Sequence, residues 1–158
     1  MTFRSEAVRA RREDMLLRLL IRATRTMNGD LAERIRARGF ADYQPSFTSL
    51  LGHLDTEGTR IGALARRMGT SRQAASQLLH EIEVRGYVER VADPDDRRAV
   101  IARHTPNGRK ILLAAIEEML AIEAEYSAIL GEEGLGRLKR LLKRLLAKTD
   151  PAGSLGLE

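Results

Sequence analysis

Apolar residues fall at helical intervals over most of this chain, and one stretch in the middle departs from that interval. Leu16, Leu20, Ala23, Met27, Leu31 and Ile35 recur close to the helical period and predict one long helix, or two in line, over residues 5–38. Asn28-Gly29 interrupts that stripe. Glycine inside a helix costs about 1 kcal/mol relative to alanine, so a bend is expected there. Gly39 ends the run as the residue just past the helix cap. Pro45 suits the first turn of a second helix. In it Phe47, Leu50, Leu51 and Leu54 make one buried face, and Glu57-Gly58 closes it. A short extended piece, 59–61, leads to a short helix from Gly62 to Met68, with Leu64, Ala65 and Met68 inward. Gly69 supplies a turn. Thr70 is the predicted N-cap of the next helix, and Gln73 completes a T-x-x-Q capping box. That helix runs from Ser71 to about Arg85, with Ala75, Leu78, Leu79 and Ile82 on its inner side.

After Gly86 the pattern becomes that of strands. Tyr87 to Val91 and Ala99 to Arg103 read as two partners of a hairpin. The loop between them, ADPDDRR, is charged and contains Pro94. Helical spacing then returns. Thr105-Pro106 opens a helix as N-cap and first residue. Ile111, Leu112, Ala115, Ile116, Met119, Leu120, Ile122, Tyr126 and Ile129 carry its stripe, and Gly131 to Gly134 breaks it. A last helix bears Leu135, Leu138, Leu141, Leu142, Leu145 and Leu146. Its acidic residues lead and its basic residues trail, which suits the helix dipole. The first and last helices carry more apolar stripe than one small lobe can cover. The surplus predicts packing against a second subunit.

Composition narrows the classes. With no cysteine there is no disulfide framework and no thiolate metal site, which fits a cytoplasmic home. The three histidines do not stand at metal-ligand spacing, so no metal and no cofactor are expected. The first residues lack the apolar core of a signal peptide. No apolar run approaches the roughly 18 residues needed to span a bilayer. The formal net charge is +5, and its distribution is uneven. Residues 60–110 carry eleven basic against six acidic side chains, whereas residues 111–158 carry six against eight. A local basic excess favours a polyanionic partner through phosphate contacts and counterion release.

The outer side of the helix after Gly69 sharpens that expectation. Arg72, Gln73, Ser76, Gln77 and His80 line it, where an ordinary solvated face would carry Glu and Lys. Arg can bind guanine in bidentate fashion, Gln can bind adenine likewise, and Ser can meet either. As a capping-box member Gln73 is also able to turn back to the backbone. In the hairpin loop an Asp beside an Arg holds the guanidinium in one orientation, which lowers its ordering cost on binding. An arginine at a hairpin tip can enter a narrow minor groove, where the negative potential is strongest.

The run LARRMGTSRQAASQLLHEIEVRGYVERVADPDDRRAV…HTPNGRKI resembles the winged helix of MarR-type transcriptional regulators. The DPDDRR loop followed by a T-P-x-G-R helix start, in phase with the preceding helix-turn-helix, carries the likeness. The fold it implies is mainly α, an α+β winged helix. One MarR-like domain would cover 1–150, with dimerisation helices at 1–40 and 105–150, a DNA-binding unit at 41–104, and a tail at 151–158. The resemblance implies a homodimer that binds a pseudo-palindromic operator in double-stranded DNA. Ser71, Arg72, Gln73, Ser76 and Gln77 would face the major groove. Arg98, with Arg97 beside it, would reach the minor groove, and Asp96 would orient the arginine. It also implies a repressor relieved by a small effector, aromatic or phenolic among the candidates, bound where the wing unit joins the dimer lobe. Tyr43, His53 and Tyr126 are the polar and aromatic candidates for that pocket, each set against a core role. Two departures stand out. Gly62 occupies a place where a Ser or Thr cap is usual, and His104 stands where an apolar residue usually ends the second strand. The alternative is a winged helix that serves protein association without a specific DNA target. No catalytic residue is expected, since the chain carries neither a glycine-rich phosphate loop nor an evident carboxylate pair.

Overall fold

The computed structural model describes residues 11–94, 96 and 99–150. Its elements in order are α1 (Leu16–Ala37), α2 (Pro45–Leu51), β1 (Thr59–Arg60), α3 (Ile61–Arg67), α4 (Arg72–Val84), β2 (Val88–Ala92), β3 (Val100–His104), α5 (Pro106–Leu130) and α6 (Glu132–Thr149). The three strands form one antiparallel sheet in the order β1-β3-β2. In the β2–β3 hairpin Val88 faces His104 and Ala92 faces Val100. The short extended piece before α3 therefore becomes the third strand, with Thr59 opposite Ala102.

One core joins all these elements except β1 and α6. It gathers Leu31 and Ile35 from α1, Phe47 and Leu50 from α2, and Leu64 from α3. Leu79 and Ile82 of α4, Val88 and Ala102 of the sheet, and Ile111 and Ile122 of α5 complete it. The predicted inward residues of α2 are all buried, Leu54 included, although Leu54 lies in the turn beyond the helix. Burying side chains of this size stabilises by about 1.5–3 kcal/mol each, which is why the apolar period governs where the elements lie.

Several local expectations are corrected. The helix α1 runs unbroken through Asn28-Gly29, as one helix rather than two in line. Leu31, Ala32 and Ile35 one turn later are fully packed, and that burial outweighs the propensity loss at one glycine. The helical path is interrupted earlier, where Met15 is an extended N-cap. The second helix ends at Leu51, with Gly52 as its C-cap, well short of Glu57-Gly58. The turn that follows has its own bonds: Asp55 N–H donates to Thr59 Oγ1 at 2.9 Å, and Thr59 Oγ1 donates to Asp55 Oδ2 at 3.0 Å. Arg67 joins them, donating to Asp55 Oδ1 at 2.7 Å and to the His53 carbonyl at 3.0 Å. This pairing with Arg67 holds the Asp55 carboxyl below its usual range.

The cap of α4 is Ser71, not Thr70. Ser71 Oγ accepts from the Ala74 N–H at 3.1 Å, while the Thr70 N–H donates to Ala65 and so closes α3. The predicted capping box is thus out of register by one residue, and Ala74 at the third helical position has no group to reach back. Arg60, not Gly62, is the N-cap of α3. Both hairpin strands begin one residue later than the sequence pattern suggests. The break after α5 is confined to Gly131, whose φ of +74° reverses the chain; Gly134 and Gly136 are inside α6.

Thr105 and Pro106 do open α5. Thr105 Oγ1 accepts from the Gly108 N–H at 3.0 Å and donates to the Gly86 carbonyl at 2.6 Å, so one side chain caps α5 and ties it to the end of α4. His104 ends β3 with only 4% of its surface exposed. Burial lowers its pKa, Arg109 lowers it further, and the backbone of Leu54 and Leu51 opposes them. The helices α1 and α5 are bridged on the surface. Arg34 pairs with Asp30 and Glu125, and Arg38 with Glu117 and Glu118. Both guanidinium groups are held more firmly protonated by these carboxylates.

Candidate nucleic-acid interface

The helix α4 is fixed from its inner side. Ala75, Leu79 and Ile82 are buried, and Leu78 is half-buried. The opposite side then faces outward by the helical period: Arg72, Gln73, Gln77 and His80 are exposed. Ser71 is exposed as well, with its hydroxyl engaged in the cap. Ser76 is half-buried, and its carbonyl accepts from Arg90 Nη2 at 2.9 Å. Arg90 Nε also lies 3.3 Å from Glu83. One arginine of β2 thus fixes the angle between the wing and α4.

The root of the wing is closed by a second arginine. Asp93 is buried, with 3% exposure, and its Oδ2 takes Arg60 Nε at 2.5 Å. The Asp93 N–H donates to Ala99 O at 3.1 Å, and the Ala99 N–H to Asp96 O at 2.8 Å. Asp96 is exposed in this loop. Arg97 and Arg98, the residues expected to probe the minor groove, lie outside the described residues, as does Asp95.

A groove of about 610 Å³ separates the wing from α3 and α4. Arg60, Arg66, Arg72, Ser76, Asp96 and Val100 are among its walls. Three guanidinium side chains and one carboxylate line it, and even with Arg60 paired to Asp93 its walls are net positive. Sequence reasoning did not single out Arg60 or Arg66. The period does turn Arg66 outward from Leu64 and Ala65. Its meeting with Arg72 and the wing, however, depends on how α3 crosses α4. Gly62 belongs to the same wall: a Cβ added to it would stand 2.7 Å from Arg72 Nη2 and 3.1 Å from Arg72 Nε.

The three residues considered for a ligand pocket are spread apart in role. Tyr43 is 1% exposed, stacks edge-on against Phe47, and shares a 3.0 Å hydrogen bond between its hydroxyl and Thr48 Oγ1. Its burial raises its pKa. His53 is half-buried in the turn after α2, with Nδ1 against the Ser49 carbonyl. Tyr126 is half-buried on α5, at the edge of the core. None of the three lines the groove beside the wing. No group of His, Asp or Glu suited to hold a metal ion occurs among the described residues. No helix among the described residues is long and apolar enough to cross a membrane.

Comparison with known proteins gives a consistent result. The MarR family model matches residues 41–99, the stretch that holds the helix-turn-helix and most of the wing. The transcriptional activatory protein BadR of Rhodopseudomonas palustris is 33% identical over 96 residues, which is 59% of this chain and 52% of that one. The chain spans about half the length of curated relatives such as this. Among solved structures, a mutant MarR from E. coli complexed with operator DNA superposes with a TM-score of 0.70 at 21% identity, covering 83% of this chain and 93% of the other. The transcriptional repressor CouR of Rhodococcus jostii, bound to a DNA duplex, gives a TM-score of 0.68 at 26% identity, covering 84% and 93%.

Proposed function

We propose that this chain is a member of the MarR family, a transcriptional regulator binding a specific double-stranded DNA operator as a homodimer. The observation that carries the proposal is the outward side of α4. Arg72, Gln73 and Gln77 are exposed on a helix whose other side is locked in the core, beside a groove walled by arginines. In the proposed complex α4 enters the major groove. The wing reaches the adjacent minor groove through Arg98 and Arg97, with Asp96 orienting the arginine; this part rests on the family resemblance. Ser71 and Ser76 line the same side of the helix.

Exposed apolar residues support the homodimer. Leu138, Leu141, Leu145 and Leu146 of α6 are all more than 40% exposed, and no α6 side chain is buried against the described residues. Leu16, Leu17 and Leu19 at the start of α1 and Leu120 and Ile129 of α5 are exposed too. A two-fold pairing through these helices would set the two copies of α4 about one DNA turn apart, or a multiple of it.

Repression relieved by a small ligand completes the proposal. CouR is a repressor solved both on DNA and with p-coumaroyl-CoA, an aromatic thioester. BadR, by its name, activates. We favour repression because CouR, a solved relative on DNA, is a named repressor whose likeness covers 84% of this chain, against 59% for BadR. Tyr126, half-buried at the junction of α5 with the core, is the residue we would probe first for ligand contact; His53 is the second. Tyr43 is committed to packing. The regulator needs no catalytic step, and we assign none.

The test is fluorescence anisotropy on DNA from the gene's own promoter region, with and without random competitor duplex. Specific binding survives the competitor, and Arg98→Ala lowers it by about 1–3 kcal/mol. Binding that random DNA competes away fully would sink the specific-operator reading and favour a protein-association role.

A further inference from the structure

The groove between α4 and the wing divides the work among the residues of the reading helix. This inference rests on the proposed DNA-binding role and goes further, to which side chains touch bases. If α4 occupies a major groove and the wing the neighbouring minor groove, the sugar-phosphate strand that separates those grooves must pass between them. That passage is the groove of Arg60, Arg66, Arg72, Ser76 and Asp96. Arg72 stands at the first helical position of α4, beside the cap, and its guanidinium lies folded against Gly62 of α3. The fit is close. The position a Gly62 Cβ would take is 2.7 Å from Nη2, 3.1 Å from Nε and 3.2 Å from Cζ of Arg72. Only a residue without a side chain leaves that seat open.

We propose that Gly62 is a positioning residue that seats Arg72 as a phosphate contact, leaving Gln73 and Gln77 to read base edges. Two further observations agree. The cap of α4 is Ser71, so Gln73 is not drawn back into a capping box and its amide faces outward. Arg60 on the opposite wall is held by buried Asp93, which fixes the width of the passage at the wing root. Phosphate contacts set register and affinity, whereas base contacts set sequence preference. The assignment therefore predicts different behaviour for residues that are neighbours on one helix.

The experiment uses full-length protein and a panel of single-base-pair variants of the selected operator, measured across a salt series. Arg72→Ala is expected to weaken binding to every panel member by the same factor, roughly tenfold or more, and to flatten the salt slope by about 1.8, since a homodimer loses one phosphate contact from each copy of α4. Gln77→Ala or Gln73→Ala is expected to relax preference at particular base pairs while leaving the slope in place. Gly62→Ala should act like Arg72→Ala, because its methyl group displaces the guanidinium. The double variant should then bind no worse than Arg72→Ala alone, a non-additivity that independent contacts would not give. Alanine is a better helix former than glycine, so Gly62→Ala should melt no earlier than the parent. An Arg72→Ala protein that loses preference at one base pair would make Arg72 a base reader and overturn the assignment; that result does not depend on Gly62→Ala folding. Parent-like binding by Gly62→Ala, or additive losses in the double variant, would overturn the seat while leaving the operator-binding reading intact. A parent protein that shows no preference across the panel would remove that reading and this assignment together.

Discussion

A Cβ placed on Gly108 would stand 1.8 Å from the carbonyl oxygen of Tyr87. The first turn of α5 lies directly on the backbone that leads into the hairpin. The Tyr87 carbonyl also accepts from the Thr105 N–H at 3.1 Å, so neither partner can withdraw without losing a bond. The hairpin and α5 are joined at this point by backbone contact.

Gly108→Ala is accordingly expected to destabilise the protein by about 1–3 kcal/mol or more, since backbone rather than a flexible side chain must move. Urea unfolding at one fixed protein concentration measures it, because the stability of the proposed dimer would vary with concentration. A midpoint equal to the parent's would show that α5 can slide on Tyr87.

The hydroxyl of Tyr87 donates to Asp42, and burial together with this carboxylate pushes the Tyr87 pKa up to about 12. A raised folded-state value means that the neutral phenol is favoured by folding. The contribution is whole below the unfolded value near 10 and is lost as pH rises through about 12. Tyr87→Phe should lower stability at neutral pH by about 1 kcal/mol. It should also remove part of the alkaline loss seen in melts between those pH values. Identical alkaline profiles for parent and variant would count against the Tyr87–Asp42 bond.

His104 behaves in the opposite sense. Its folded-state pKa is lowered from 6.5, chiefly by burial and next by Arg109. Folding favours the neutral ring, so its contribution is present above the unfolded value and is lost as pH falls through the lowered one. His104→Leu should flatten the drop in melting temperature on going from neutral to mildly acidic pH. An unchanged acid profile would assign that drop to other groups.

Asp93→Ala removes a buried carboxylate from the wing root and releases Arg60. Because Arg60 can still reach water, with 55% of its side chain exposed, the loss is expected near 1–3 kcal/mol, below that of breaking a fully buried pair. DNA affinity should fall with it. Hydrogen exchange at the Asp93 and Ala99 amides would rise if the loop opens, and unchanged protection there would contradict a bracing role.

Leu138→Glu combined with Leu145→Glu places two charges on α6, where the homodimer reading requires burial. Sedimentation should show monomers, with the dimer dissociation constant raised on the order of a hundredfold or more. A variant that remains dimeric would move the interface away from α6.

In α2, α3 and α4 the positions that periodicity assigns inward are the positions that pack. Phe47, Leu50, Leu51 and Leu54 are buried whether or not the helix extends over them, because burial follows apolar area rather than helix length. Thr105-Pro106 marks the start of α5 for an equally local reason: a hydroxyl acceptor followed by a residue with no N–H to satisfy. The ordered run from the helix-turn-helix through DPDDRR and TPNGR was enough to indicate the family. These features are legible in sequence because each is decided within a few residues.

Choices between nearly equivalent local solutions were not. Thr70 and Ser71 are both competent caps, and the hydrogen bond from Thr70 to Ala65 decided for Ser71. Asn28-Gly29 could have broken α1, and packing of the next turn kept it helical. The groove of Arg60, Arg66 and Arg72 joins residues on three elements, and Gly62 gains its meaning only when α4 lays Arg72 against it. For α2, α3 and α4, sequence determined which residues are inside and which side of α4 is out, since those follow from period and polarity. Tertiary structure decided what stands next to what across elements, since the crossing of packed helices brings together side chains whose spacing along the chain carries no signal.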